Sequence, residues 1–165
     1  MTRTLTTTAK QALMLFISAM LLCVSFAVSA ETAPDVNALP TNGQVVAGTA
    51  NISTDSSQAN APVLNVNQAS QRAVVNWEKF DVGAAATVNF NQPNAQASTL
   101  NRIGDANPSK VFGKINAPGE VILVNQAGVY FSPSSSLDVG AVVATTHSIS
   151  DADYMAGKAQ FDRNG

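Results

Sequence analysis

Between residues 39 and 147 the chain is written in short apolar runs, many alternating with polar residues, cut apart by Gly, Pro and Asn. Val63-Leu64-Asn65-Val66-Asn67-Gln68 puts Leu64 and Val66 on one face and the asparagines on the other, the period-two pattern of a half-buried strand. Thr87-Val88-Asn89-Phe90-Asn91 repeats it with Val88 and Phe90 inward. Further strands are predicted at Gln44–Ile52, interrupted at Gly48, and at Ala73–Trp77, Phe80–Val82, Thr99–Ile103 and Lys110–Ile115. Glu120–Asn125, Val129–Phe131, Ser136–Val139 and Ala141–Thr146 complete the series. Gln92-Pro93-Asn94, Asn107-Pro108, Ala117-Pro118-Gly119 and Ser132-Pro133 read as the breaks between them. Helical periodicity is absent until about residue 151, where Ser150–Lys158 predicts one short helical turn capped by Ser150 or Asp151. Many short strands at close spacing describe a sandwich, a barrel or a β-solenoid.

Composition narrows the choice. Fifteen asparagines lie after residue 30, together with abundant Ser, Thr, Gln, Gly and Ala. Stacked coils need turns that repeat tightly, which Asn and Gly serve, and an interior filled by small aliphatics rather than large aromatics. One Trp and two Tyr among many Val and Ala fit a solenoid, although no strict internal repeat is visible, so its coils are expected to be irregular.

The first thirty residues follow a different grammar. Arg3 and Lys10 precede an apolar stretch from Ala12 to Val28, and Val28-Ser29-Ala30 offers small residues for cleavage after Ala30. A membrane anchor is the competing reading, but Glu31-Thr32-Ala33-Pro34-Asp35 follows in place of a basic stop-transfer cluster. Residues 1–30 are therefore expected to be an export signal peptide, 31–38 a short lead, and 39–165 one folded domain. The chain has 9 basic and 11 acidic residues, and Arg3 and Lys10 fall in the signal, leaving 7 against 11 and a net charge near −4. That balance gives no electrostatic footprint for nucleic acid. The only cysteine, Cys23, also lies in the signal, so disulfides and thiol chemistry are excluded from the mature chain.

Candidate chemistry is sparse. His147 is the only histidine and, with no cysteine beside it, does not build a nitrogen/sulfur metal site. Asp151 and Asp153 either cap the helical turn or bind a weak calcium ion, and capping needs fewer partners. Glu78, Asp81 and Asp138 are scattered, and Ser134-Ser135-Ser136 lacks a base and a nucleophile elbow. Trp77 and Phe80 suit core packing better than an adhesive surface. No catalytic residue, cofactor or metal is expected, and the chain does not read as an enzyme.

Several segments then line up, in order, with one family. Leu39-Pro40-Thr41-Asn42-Gly43-Gln44-Val45-Val46-Ala47-Gly48, Asn67-Gln68, Ala73–Gly83 and Val88–Pro93 carry the likeness, as do Leu100-Asn101-Arg102-Ile103, Val121–Phe131, Gly140–Thr146 and Ile149–Tyr154. Together they resemble the filamentous-haemagglutinin N-terminal domain, also called the haemagglutination activity domain, which is the secretion domain of two-partner-secretion exoproteins.

The resemblance implies an all-β, right-handed parallel β-helix with small extra-helical β elements, in a Gram-negative exporter. It implies passage through the Sec machinery to the periplasm, recognition by an outer-membrane pore partner, and display as a secreted or cell-surface adhesin-type protein. The family's Asn-Pro-Asn-Gly turn stands here as Asn125-Gln126-Ala127-Gly128, so Asn125 and Gly128 match while Gln126 and Ala127 depart. Asn125, Gly128, Asn101 and Arg102 are the residues expected to carry the secretion motif and partner recognition. Arg102, within Leu100-Asn101-Arg102-Ile103, alternates outward and either meets the partner or pairs with a neighbouring acid. Family members continue into a shaft, so a chain ending at Gly165 is expected to be C-terminally truncated. An adhesin or carbohydrate-binding solenoid, contacting host cells or glycans through its Asn-rich face, is the alternative function.

Overall fold

The computed structural model describes residues 32–58 and 60–162. The expected signal peptide and its cleavage site at Ala30 lie outside the described residues. Among the described residues, ten strands and one short helix follow in order: β1 Gln44–Ala47, β2 Ala50–Asp55, β3 Val63–Gln68, β4 Arg72–Trp77 and β5 Thr87–Asn91. Then come β6 Ser98–Ile103, β7 Ser109–Val111, β8 Lys114–Asn125, β9 Val129–Phe131, β10 Ser136–Thr145 and α1 Asp151–Met155.

Register shows how these strands stack. The first side of the solenoid is β3, β5, the N-terminal half of β8 and the N-terminal half of β10, all parallel, so Leu64, Val88, Ile115 and Leu137 form one column. The second side is β4, β6 and the C-terminal halves of β8 and β10, also parallel, with Val74, Leu100, Ile122 and Val143 in one column. A third, narrower side is formed by Val82, β7 and β9. Four successive coils result, the parallel β-solenoid that the composition and the resemblance led one to expect. Stacking identical columns at the strand spacing of about 4.8 Å lets each coil bury its apolar positions on the one before it.

The two main sides explain two different sequence patterns. On the first, Leu64, Val66, Val88, Phe90 and Ile115 point into the core, while Asn65, Asn67, Asn89, Asn91 and Asn116 lie on the outward side. On the second, Val121 to Val124 are all buried, because Val121 and Leu123 face the core and Ile122 and Val124 face a second apolar cluster outside. A strand covered on both faces has no reason to alternate. The outside cover is the segment after β10, which contributes Ile149, Tyr154 and Phe161.

Four sequence expectations are corrected. Lys110–Ile115 is not one strand: the chain turns at Phe112-Gly113, ending β7 at Val111 and starting β8 at Lys114. Ala117-Pro118-Gly119 is not a break, since β8 runs through it and turns the corner between two sides there. Ser136–Val139 and Ala141–Thr146 are likewise one strand, bent by a register shift between Val139 and Ala141. Phe80–Val82 makes only a bridge, Val82 with Val111.

The first coil is capped. β1 runs antiparallel to β4 and β2 antiparallel to β3, and Leu39, Val45, Ala50 and Ile52 pack against the core. These antiparallel pieces are the small extra-helical elements, and they protect backbone groups that an open edge would leave unpaired. The lead is bonded too: Gly83 N–H donates to Ala38 O and Ala85 N–H to Val36 O, 2.9 and 2.8 Å.

Candidate functional site

The turn after β8 is built from its own sequence. Gly128 N–H donates to Asn125 O at 2.9 Å, closing a four-residue turn, and Gly128 has φ +101°. A Cβ there would meet nothing within 4 Å, so the demand for glycine is conformational and not steric. Asn125 is wholly buried and uses both ends of its amide. Its Oδ1 accepts from Ala127 N–H at 2.9 Å, fixing the turn locally. Its Nδ2 donates to Asn107 O at 3.1 Å and to Ser109 Oγ at 2.9 Å, tying this turn to the equivalent turn of the coil before. Ser109 N–H returns a bond to Gly128 O at 3.0 Å. Gln126 is exposed and Ala127 half-buried, so the two positions that depart from the family pattern contribute no side-chain polar contact.

Asn101 lies one coil below on the inner side of β6, also fully buried. Its Oδ1 accepts from Trp77 Nε1 at 3.0 Å, and its Nδ2 donates to Thr99 O and Ile122 O at 3.2 and 3.1 Å. Trp77 packs edge-on against Phe80 with centroids 5.6 Å apart. Asn101 and Asn125 therefore serve the interior of the folded coils. Arg102 points outward and is claimed by an acid: it pairs with Asp151 and donates to Ile149 O. Ser150, not Asp151, caps the helix, accepting from Asp153 N–H at 3.1 Å. Asp153 is held below the usual carboxylate range by its bond to Lys158 and then by Ser150.

Arg102, Gly104, Asp105, Gln126 and Ser148 border an open cleft of about 530 Å³ beside the Asn125 turn. Thus Arg102, the Asn125 turn and the start of the C-terminal segment share one corner, while Asn101 lies behind it. His147 is exposed, and among the described residues no group of three or more His, Cys, Asp or Glu is placed to hold a metal ion.

Two constellations escaped sequence reading. At the corner between the two main sides, Gln68 Nε2 donates to Ser70 O and Ser98 O, and Gln92 Nε2 to Thr99 Oγ1 and Glu120 O. Gly119 N–H donates to Gln92 Oε1 at 2.8 Å, so buried glutamines satisfy the backbone where the coils bend. On the outside of the first side, amides form ladders: Asn116 Nδ2 donates to Asn89 Oδ1, Asn89 Nδ2 to Asn65 Oδ1, and Asn91 Nδ2 to Asn67 Oδ1, at 2.8 to 3.0 Å. The only available signal was the recurrence of Asn in alternating strands.

Comparison with known proteins agrees with this architecture. The family profile of the TPS secretion domain, TPS denoting two-partner secretion, matches residues 31–164. A heme/hemopexin-binding protein of Haemophilus influenzae is 32% identical over 124 residues, covering 75% of this chain and 13% of that protein. Its counterpart in H. influenzae strain Rd is 33% identical over 108 residues, 66% of this chain and 11% of that one. The chain thus spans little more than a tenth of the length of these curated relatives. The crystal structure of the HMW1 secretion domain from H. influenzae superposes with a TM-score of 0.65 over 76% of this chain and 32% of that one, at 24% identity, a likeness of fold. With the family profile matched over residues 31–164, this chain belongs to the TPS secretion domain family of two-partner-secretion exoproteins.

Proposed function

We propose that this secretion domain passes the inner membrane by the Sec machinery and is recognised in the periplasm by a dedicated outer-membrane pore. It crosses that pore as an extended chain and folds at the cell surface as the N-terminal part of an adhesin-type protein. The observation that carries this reading is the sequential stacking: each coil is laid in parallel on the preceding one, starting from a first coil closed by β1 and β2. A capped first coil offers a template to which the next strand adds through main-chain bonds, so folding advances in the direction of emergence and makes return through the pore unfavourable. The single cysteine lies in the expected signal, so no cross-link stands in the way of threading. Because the side chains of Asn101 and Asn125 are buried once folded, their recognition by the pore belongs to the extended state. Secretion measured with and without the cognate pore tests this, and equal release from both strains would overturn it.

A second reading, direct contact with glycans or host surfaces, is favoured by the outward asparagine ladders, which present side-chain amides along three successive coils. A glycan array probed with the folded domain tests it, and a flat result removes it.

A further inference from the structure

The segment from Ser148 to Asp162 crosses the outer side of the second sheet as a strap. Of its fifteen residues only Ile149 and Tyr154 are buried, and it joins no strand of the sheet: its one bridge, Ser148 with Asp162, links its own ends. Two sockets hold it. In one, Arg102 pairs with Asp151 and bonds Ile149 O. In the other, the Arg72 guanidinium lies 5.5 Å from the centre of the Tyr154 ring, and the Tyr154 hydroxyl stands 2.7 Å from Ser98 Oγ, which donates to Glu120 Oε2 at 2.9 Å. Between the sockets runs the apolar column Val74, Leu100 and Ile122. The fit is incomplete, for a cavity of about 340 Å³ remains between the sheet and the strap, bordered by Arg72, Glu120, Val143, Tyr154, Lys158 and Phe161. Two buried side chains and two arginine contacts set against the ordering of fifteen residues describe a segment that opens locally without unfolding the coils.

We propose that the strap is a displaceable lid, and that the groove beneath it binds a short acidic–aromatic segment of the outer-membrane partner. That segment places a carboxylate on Arg102 and an aromatic ring on Arg72 and Ser98. The strap is the template for this ligand: Asp151 and Tyr154 stand three apart on one helical turn, so both project to the same side. Charge complementarity points the same way, since both arginines of the groove face outward and the strap meets one with a carboxylate and the other with a π face. The partner presents this segment at the cell surface, where the coils fold; it occupies the groove while the strap is undocked, and strap docking displaces it once the coils are complete. This rests on the reading that a pore partner exists.

The test uses the full chain and, as probe, a fluorescein-labelled peptide of residues 148–161. Tyr154→Ala empties the aromatic socket in cis and is expected to bind the peptide about tenfold tighter than the unaltered chain, while adding Arg102→Ala loses about tenfold again. No saturable binding to a Tyr154→Ala chain whose Trp77 fluorescence is unchanged, or indifference to Arg102→Ala, would overturn the groove. Should Tyr154→Ala misfold, hydrogen exchange on the unaltered chain decides: strap amides such as Tyr154 N–H are expected to exchange at least about tenfold faster than coil amides, and joint exchange overturns the lid. With the cognate pore in detergent, Tyr154→Ala is expected to bind more tightly. Equal binding by both chains removes the groove while leaving pore-dependent secretion standing, whereas secretion that needs no pore removes both.

Discussion

Replacing Asn125 by Ala tests whether the turn after β8 is a keystone or a connection. The substitution deletes the acceptor of Ala127 N–H and the donor to Asn107 O and Ser109 Oγ. Each bond contributes about 1 kcal/mol net, and because the site is wholly buried, water does not replace them, so the sum is about 3–4 kcal/mol. Gly128→Ala forces an L residue to φ +101° in open space, a backbone strain of about 1–2 kcal/mol. Gln126→Ala on the exposed side of the same turn is expected within about 0.5 kcal/mol of the unaltered chain. Urea unfolding followed by Trp77, the only tryptophan and a direct partner of Asn101, reads all three variants with one probe. For a domain of this size the Asn125→Ala loss corresponds to a fall in Tm of about 10–15 °C. If Asn125→Ala and Gln126→Ala unfold within about 1 kcal/mol of each other, the burial argument is wrong and the turn merely connects two strands.

Further outcomes follow from neighbouring contacts. Gln126→Pro occupies the turn position where proline is favoured and is expected to raise stability by about 0.4–1 kcal/mol, measured by the same urea midpoint. Burial raises the Tyr154 hydroxyl above its ordinary value of 10, so the folded chain holds this proton longer than the unfolded one. Stability from Tyr154 is then complete below about pH 10 and is lost as pH rises through the folded value. Tyr154→Phe should cost about 1 kcal/mol near neutrality and abolish that alkaline limb, read by urea unfolding at pH 8 and at pH 11. Gly83→Ala places a Cβ 2.2 Å from Asp35 O and should release the lead from the Gly83–Ala85 turn, detected as faster exchange of the Ala85 amide.

Much of this was legible because it is local. Strands β3 and β5 were read with their bounds, since one face meets core and the other meets solvent, and two-residue alternation records that directly. The Asn125 turn was legible for a similar reason: left-handed backbone and a side chain bonding two residues ahead are demands made within four residues. Pro118 was misread because a proline ordinarily ends a strand, whereas at a solenoid corner the chain bends without leaving the sheet. Arg102 stood open between two readings, and its answer lay at Asp151, 49 residues away. Gln68 read as a strand end and Gln92 as part of a break, although both bond the backbones of other coils.

By itself, then, the sequence determined the alternating strands β3 and β5, the Asn125 turn, the absence of cysteine from the described domain and the order of segments that marks the family. The tertiary structure alone decided which residues share a column, that the Val121–Val124 run is covered on its outer face by the strap, and that asparagines on successive coils bond into ladders. The physical reason is distance along the chain. Alternation and positive φ are settled between neighbours, whereas stacking joins residues one coil apart. Coils of unequal length leave no fixed period by which sequence could announce those contacts.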